Sequence, residues 1–297
     1  MNSNIVTDRR ANIIGGVWMV ASMAGFAVED AFVKAASQAL PISEILIIFG
    51  LGGAFVFGFL AILNKEPLLT ADTVSRPMRI RVFFEIVGRL FYVLAIALTP
   101  LSAATVILQA TPIVVVASAA LIFGENVGYR RWIAILIGLI GVVIIIRPGT
   151  DSFEALSILA VIGMLGFAGR DLASRAAPAS VSTSILGLYG FLSLVIAGLI
   201  YWAWDQSPFM WPTAEVSLYL VGCVLTGVVA YSCLMKAMRT GEVSAVTPFR
   251  YTRMLFGIGL GVALFGEHLN VPMMIGSALI VVSGLFILWR GQQTKPG

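Results

Sequence analysis

Residues 25–36 read "GFAVEDAFVKAA" and residues 166–177 read "GFAGRDLASRAA". The phrase lies both times inside a run otherwise fit for lipid. Both times it carries an acid four residues before a base, Asp30 with Lys34 and Asp171 with Arg175. That order is the favourable one for an i,i+4 ion pair on a helix. Asp171 follows Asp30 by 141 residues, and the echo continues downstream. "LSAAT" (101–105) returns as "VSAVT" (243–247), and "LIFGE" (121–125) as "ALFGE" (263–267), both at an offset of 142. Arg147 and Arg290 stand 143 apart, so the register drifts by two residues, as small loop insertions produce. The period is half the chain, far beyond the ~20–50 residues of a solenoid repeat. The chain is written twice.

The rest of the sequence says in what solvent. Of 297 residues, 59% are hydrophobic and 11% charged, with a mean hydropathy of +0.97. A soluble domain carries about a quarter charged residues, so this chain lacks the polar surface to face water and its partner is the lipid bilayer. Apolar segments fall at 12–34, 43–63, 80–98, 101–122, 129–147, 153–176, 180–204, 214–238, 243–265 and 271–290. Each is near the ~20 residues that a ~30 Å hydrocarbon core requires. The expected fold is an all-α membrane protein of ten transmembrane helices in two five-helix repeats, 1–150 and 151–297, around a central cavity. Five is odd, so the second repeat enters the membrane upside down. Inverted repeats of this kind characterise secondary transporters, whose halves rock about a shared site.

Lysine and arginine placement gives an orientation. With a cytoplasmic N-terminus, thirteen bases including Arg81 flank the inner ends, and only Lys34 and Arg147 flank the outer ends. By the positive-inside rule both termini are cytoplasmic. Tyr129, Trp132, Tyr201, Trp202, Trp204, Trp211 and Trp289 cluster at segment ends, as an aromatic belt does. The first apolar run exceeds the ~7–15 residues of a signal core and carries Glu29 and Asp30, so it reads as a retained span.

Several chemistries find no footing. The only histidine is His268, which leaves no histidine-based metal cluster. The sequence holds no Gly–x–Ser–x–Gly elbow, no His–Glu–x–x–His and no Walker loop. No catalytic residue, metal or cofactor is expected, and no nucleic-acid partner or obligatory protein partner. Cys223 and Cys233 are ten residues apart in one expected helix. At ~1.5 Å per residue that separation exceeds the ~7 Å a disulfide spans.

Ten spans in two halves, a Gly–Glu closing the fourth and ninth (Gly124–Glu125, Gly266–Glu267) and "SAA/SAV" openings to those spans resemble the drug/metabolite transporter superfamily in its EamA-domain branch. Within it the chain resembles the YddG-type bacterial exporters of aromatic and other amino acids. The resemblance covers essentially the whole chain. It implies a carrier with a central cavity between the halves and without bound cofactor or ATP hydrolysis. The "PFRYTR" of 248–253 fits equally well among relatives that carry riboflavin or nucleotide metabolites.

Glu29, Asp30, Glu85, Arg89, Arg170, Asp171, Arg250 and Arg253 all fall within expected spans. At roughly 2.5–3.5 kcal/mol each near the bilayer centre, eight lipid-facing charges would cost on the order of 20 kcal/mol. That exceeds a typical stability of ~5–15 kcal/mol, so most must face inward. Glu85, Arg89 and Tyr92 share one helix face. They form either a cavity wall for a zwitterion or an internal ion pair that locks the helix. Arg250 and Arg253 are forks suited to carboxylates. One is a candidate for a substrate carboxylate, the other for Glu85 or Glu29. Gly257 and Gly261 share a face with Arg250 and predict close helix packing.

Gln109, Thr111 and Pro112 interrupt the fourth span, as a substrate contact or as a kink. Tyr251 and Phe26 either stack on an aromatic substrate or pack. Asp30–Lys34 and Asp171–Arg175 read as snorkelling helix ends, or as symmetry-related gate contacts that exchange partners. Glu29 has no acidic counterpart, since Arg170 stands there.

Overall fold

In the computed structural model, residues 9–123, 128–146, 155–175, 178, 180–240 and 246–293 are described, and among them all regular structure is helical. The helices are α1 (Arg9–Ala36), α2 (Ile42–Leu63), α3 (Arg76–Leu98), α4 (Leu101–Leu108), α5 (Thr111–Phe123), α6 (Tyr129–Ile146), α7 (Ser157–Arg175), α8 (Thr183–Asp205), α9 (Ala214–Thr240), α10 (Thr252–Phe265) and α11 (Val271–Gln293). A 3-10 turn over Thr247–Tyr251 precedes α10. Among the described residues, six stretches are long and apolar enough to cross a membrane: 10–36, 42–63, 101–122, 157–174, 183–205 and 214–238. Helix α3 has the length but carries Arg76, Arg79, Arg81, Glu85 and Arg89. Arg76 and Arg79 are exposed at its first turn, whereas Arg81, Glu85 and Arg89 turn inward and lower its hydropathy without turning it toward water.

The interruption expected in the fourth segment is present, and the ninth carries a 3-10 stretch that the sequence does not announce. The fourth stops at Leu108 and restarts at Thr111, whose hydroxyl donates to the Leu108 carbonyl at 2.5 Å. Pro112 is the second residue of α5, a position where its missing N–H is no loss. In the ninth, the 3-10 turn, with Pro248 in its opening, leads into α10. Helix α3 starts a turn earlier than the hydropathy indicates because Pro77 sits in its first turn.

The packing is inside out relative to a soluble protein. Phe55, Leu121, Leu218 and Val282 are exposed, whereas Glu29, Asp30, Glu85, Thr105 and Gln109 are buried. The most extensive contacts join the halves: α1 with α9, α2 with α8, α3 with α7 and α6 with α11. Further contacts join α1 with α10, α4 and α5 with α7, α3 with α8, α2 with α9, and α4 with α10. Replacing each helix by its counterpart in the other half leaves this set of pairs unchanged.

Glycines show the relation at atomic scale. A Cβ on Gly25 in α1 would lie 2.9 Å from the Ala230 Cβ in α9, and one on Gly166 in α7 would lie 2.4 Å from the Gly88 backbone nitrogen in α3. Gly166 repeats Gly25, and Ala230 repeats Gly88. The echoed phrase therefore puts its small residue at a close approach of the two halves on both occasions. Gly257 and Gly261 behave as their spacing predicts, pressed against Thr105 and Ser102 of α4.

Candidate functional site

Helices α1, α3 and α7 and the α10 entrance bring nine charged side chains together, seven of them linked in one network and two, Asp30 and Arg253, paired beside it. At its centre is Glu85, 2% exposed. Its Oε1 accepts from Arg89 Nε at 3.4 Å and from Arg170 Nη1 at 3.2 Å, and its Oε2 lies 3.5 Å from Arg81 Nη2. Arg89 Nη1 also donates to Glu29 Oε1 at 3.2 Å. Arg170 forks onto Asp171 Oδ1 at 3.0 and 2.8 Å, and Arg250 Nη1 reaches Asp171 Oδ2 at 3.6 Å. Beside these, Asp30 Oδ2 accepts from Arg253 Nη2 at 2.6 Å and from the Tyr92 hydroxyl at 3.1 Å.

Among the described residues the network and the adjacent pair together hold five arginines (81, 89, 170, 250 and 253) and four carboxylates (29, 30, 85 and 171), an excess of one positive charge. Arg253 Nε, Arg81 Nη1 and Glu29 Oε2 are buried without a hydrogen-bond partner. Aromatic faces complete the surface. Arg253 lies 5.2 Å from the Phe26 ring centre and 5.5 Å from that of Tyr92, and Arg170 lies 4.7 Å from that of Phe167. Phe167 repeats Phe26, so each half presents a phenylalanine beneath a guanidinium, a favourable cation–π arrangement.

Several expectations are corrected here. Asp30 and Lys34 do not pair with each other. Asp30 turns to Arg253 and Tyr92, while Lys34 Nζ donates to the carbonyls of Ile96 (3.2 Å) and Thr99 (2.6 Å) and lies 3.8 Å from Glu267. A buried carboxylate needs a strong charged donor, and Arg253 reaches it from another helix. The Asp171 carboxylate meets Arg170 and Arg250. The Arg175 side chain lies outside the described residues, as do Gly124, Glu125 and Arg147. Arg253 meets Asp30 rather than Glu85 or Glu29. Glu85 and Arg89 do pair, but Tyr92 of the same face points to Asp30.

Gln109, at the break between α4 and α5, donates from Nε2 to the Arg250 carbonyl at 2.7 Å, tying the two broken segments together. Tyr251 is buried, its hydroxyl pressed against Gly284 and without a partner. Arg81, counted among the cytoplasmic flanks, is 5% exposed, belongs to the network and donates from Nε to Ser174 Oγ at 3.1 Å. Arg170, Phe167 and Glu267 were not singled out as site residues. The first two were legible as the repeat partners of Glu29 and Phe26, and the third as half of the doubled Gly–Glu.

The sequence profile of the EamA-like transporter family matches this chain twice, over residues 13–147 and 155–289. The chain belongs to the EamA-like transporter family. It is thus a member of the drug/metabolite transporter superfamily. Among its relatives are the riboflavin transporter of Vibrio cholerae, 25% identical over 95% of each chain, and the S-adenosylmethionine uptake transporter of Rickettsia prowazekii, 21% identical over 97% of each. The pseudopaline exporter CntI of Pseudomonas aeruginosa is 26% identical over 92% of this chain and 93% of its own. One solved crystal structure, 19% identical, superimposes on 94% of this chain and 98% of its own with a TM-score of 0.62, which shows a shared fold. This EamA-family chain is accordingly a membrane transporter of small molecules.

Proposed function

We propose that the chain is an alternating-access carrier of the bacterial inner membrane that exports amino acids, aromatic ones included. Its two repeats lie inverted with respect to each other, and both termini face the cytoplasm. The observation that carries the reading is the mixed-charge network set on aromatic faces where the halves meet. A zwitterion needs an anion site, a cation site and an apolar wall within a few ångströms. Arg250 and Arg253 supply the first, Glu29 and Asp171 the second, and Phe26, Tyr92 and Phe167 the third. The surplus positive charge favours a solute that brings a carboxylate. Glu85, Arg89, Gln109 and Tyr251 complete the proposed substrate surface. Asp30, Lys34, Asp171, Arg175 and Pro112 belong to its gates and hinges.

A second reading is favoured by the relatives' names: the same surface would take a flavin, a nucleoside or an S-adenosylmethionine-like solute. Uptake into proteoliposomes, screened with labelled amino acids, flavins and nucleosides, separates the two. Saturable flux with counterflow is expected for an amino acid. Selective weakening of carboxylate-bearing solutes is expected in Arg250→Ala. Equal affinity of the unaltered carrier for an amino acid and its amide would sink the carboxylate contact.

A further inference from the structure

The doubled Gly–Glu has a structural use in the second repeat. Helix α10 ends on Gly266, which holds a left-handed φ of +63°, a conformation glycine adopts without penalty. The chain reverses there, the Glu267 N–H donates to the Gly261 carbonyl at 3.1 Å, and the carboxylate folds back over α10. A Cβ on Gly261 would lie 2.4 Å from Glu267 Oε2, so position 261 must be bare for the side chain to lie there.

The carboxylate then crosses to the first half. Its Oε1 accepts from Leu101 N at 2.6 Å, and its Oε2 from Ser102 N at 3.0 Å and Ser102 Oγ at 2.5 Å. These are the first N–H groups of α4, which have no partner inside the helix and sit at its positive end. Three residues before Leu101 α3 ends, and the carbonyls of its Ile96 and of the capping Thr99 are taken by Lys34 from α1. Lys34 and Glu267 face each other at 3.8 Å, both mostly shielded, beside a cavity of about 430 Å³ lined by Gln38, Pro100, Leu264 and Phe265 as well.

We infer that Glu267, backed by Lys34, is the latch of the outer gate: it clamps α4 of one half to α10 of the other and closes the solute route on that face. One carboxylate satisfies two orphan backbone donors across the seam between the repeats. Sliding or tilting one half against the other breaks all three hydrogen bonds together. The tie is therefore cooperative, and its loss releases α4 from α10. One turn further along α4, Thr105 is fully buried against Gly257 of α10, behind the latch.

The assignment of this face as outer rests on the carrier reading above, and the test keeps the two apart. In a Cys223→Ala/Cys233→Ala background, Thr105→Cys is reacted with a membrane-impermeant maleimide in right-side-out and inside-out vesicles. Slow labelling is expected with Glu267 present. Adding Glu267→Ala should raise the rate about tenfold from the outside only, since charge-assisted hydrogen bonds are being lost. Lys34→Met should give a smaller rise in the same direction. Labelling unchanged from both sides in folded, monodisperse Glu267→Ala protein overturns the latch. A rise confined to inside-out vesicles keeps the latch and overturns the orientation. Absence of counterflow in the unaltered protein overturns the carrier reading alone. If Glu267→Ala is not recovered folded, Glu267→Gln is used, which keeps the shape but not the charge. About a threefold rise is then expected, and an unchanged rate is equally fatal.

Discussion

Glu85 is shared by three guanidiniums, and that sharing decides what its replacement does. In a low-dielectric interior, removing one member of a buried ion pair costs about 3–5 kcal/mol, because the partner charge is stranded. Glu85→Gln takes from Arg81 its carboxylate and from Arg89 and Arg170 one of the two that each holds. The sequence alone suggests that a carrier without proton coupling would tolerate this change. The structure assigns Glu85 a scaffolding task as well, so we expect a marked fall in the detergent melting temperature with loss of transport. A melting temperature and flux equal to those of the unaltered protein would remove Glu85 from the centre of the network. Arg253 gives a contrasting case. Arg253→Lys keeps a charge for Asp30 but loses the planar stack on Phe26 and Tyr92. Stability within about 1 kcal/mol of the parent together with weaker solute affinity is the expected outcome, read by thermal melts and the half-saturation concentration.

The helices themselves are tuned by where they lack side chains. At the α3–α7 crossing a methyl group on Gly166 would meet the Gly88 backbone, which cannot rotate aside. Gly166→Ala should therefore push the halves apart and destabilise by about 1–3 kcal/mol, the usual cost of overpacking. Gly190 in α8 has open space around its Cβ position. Gly190→Ala should be neutral or slightly stabilising, by up to about 1 kcal/mol, from helix propensity. Equal melting temperatures for the two alanine variants would contradict the packing described. The breaks in the fourth and ninth segments belong to this scale too. Backbone freed at membrane depth is tolerable where it borders protein or a cavity, and here the Gln109 side chain takes up the Arg250 carbonyl.

Across the whole molecule, the principal contacts run between repeats rather than within them. Helices α1, α2 and α3 each pack chiefly on α9, α8 and α7, and only thinly on one another. A half produced alone would thus leave its small-residue faces uncovered, and would leave Asp30 or Arg253 without its partner from the other half. Residues 1–150 and 151–297 expressed separately should each be degraded or aggregated. Co-expressed as two chains, they should assemble and recover flux. Stable, monodisperse accumulation of either half alone would show that the repeats fold independently, against the interlocked packing.

The sequence by itself determined the solvent, the duplication, the extent of nearly every helix and most of the charges that must turn inward. These follow from composition, period and the cost of a charge in hydrocarbon, all of which are local or additive. It also marked Gly266–Glu267 through repetition, without saying why. Only the tertiary structure decided which acid meets which base. The i,i+4 spacing put Asp30 beside Lys34, but both lie at a seam where other helices offer stronger partners. A guanidinium on α10 claims Asp30, and the carbonyl end of α3 claims Lys34. Spacing along one helix measures proximity on its own surface. Partner choice in a bundle is a competition among neighbours that the linear order does not reveal.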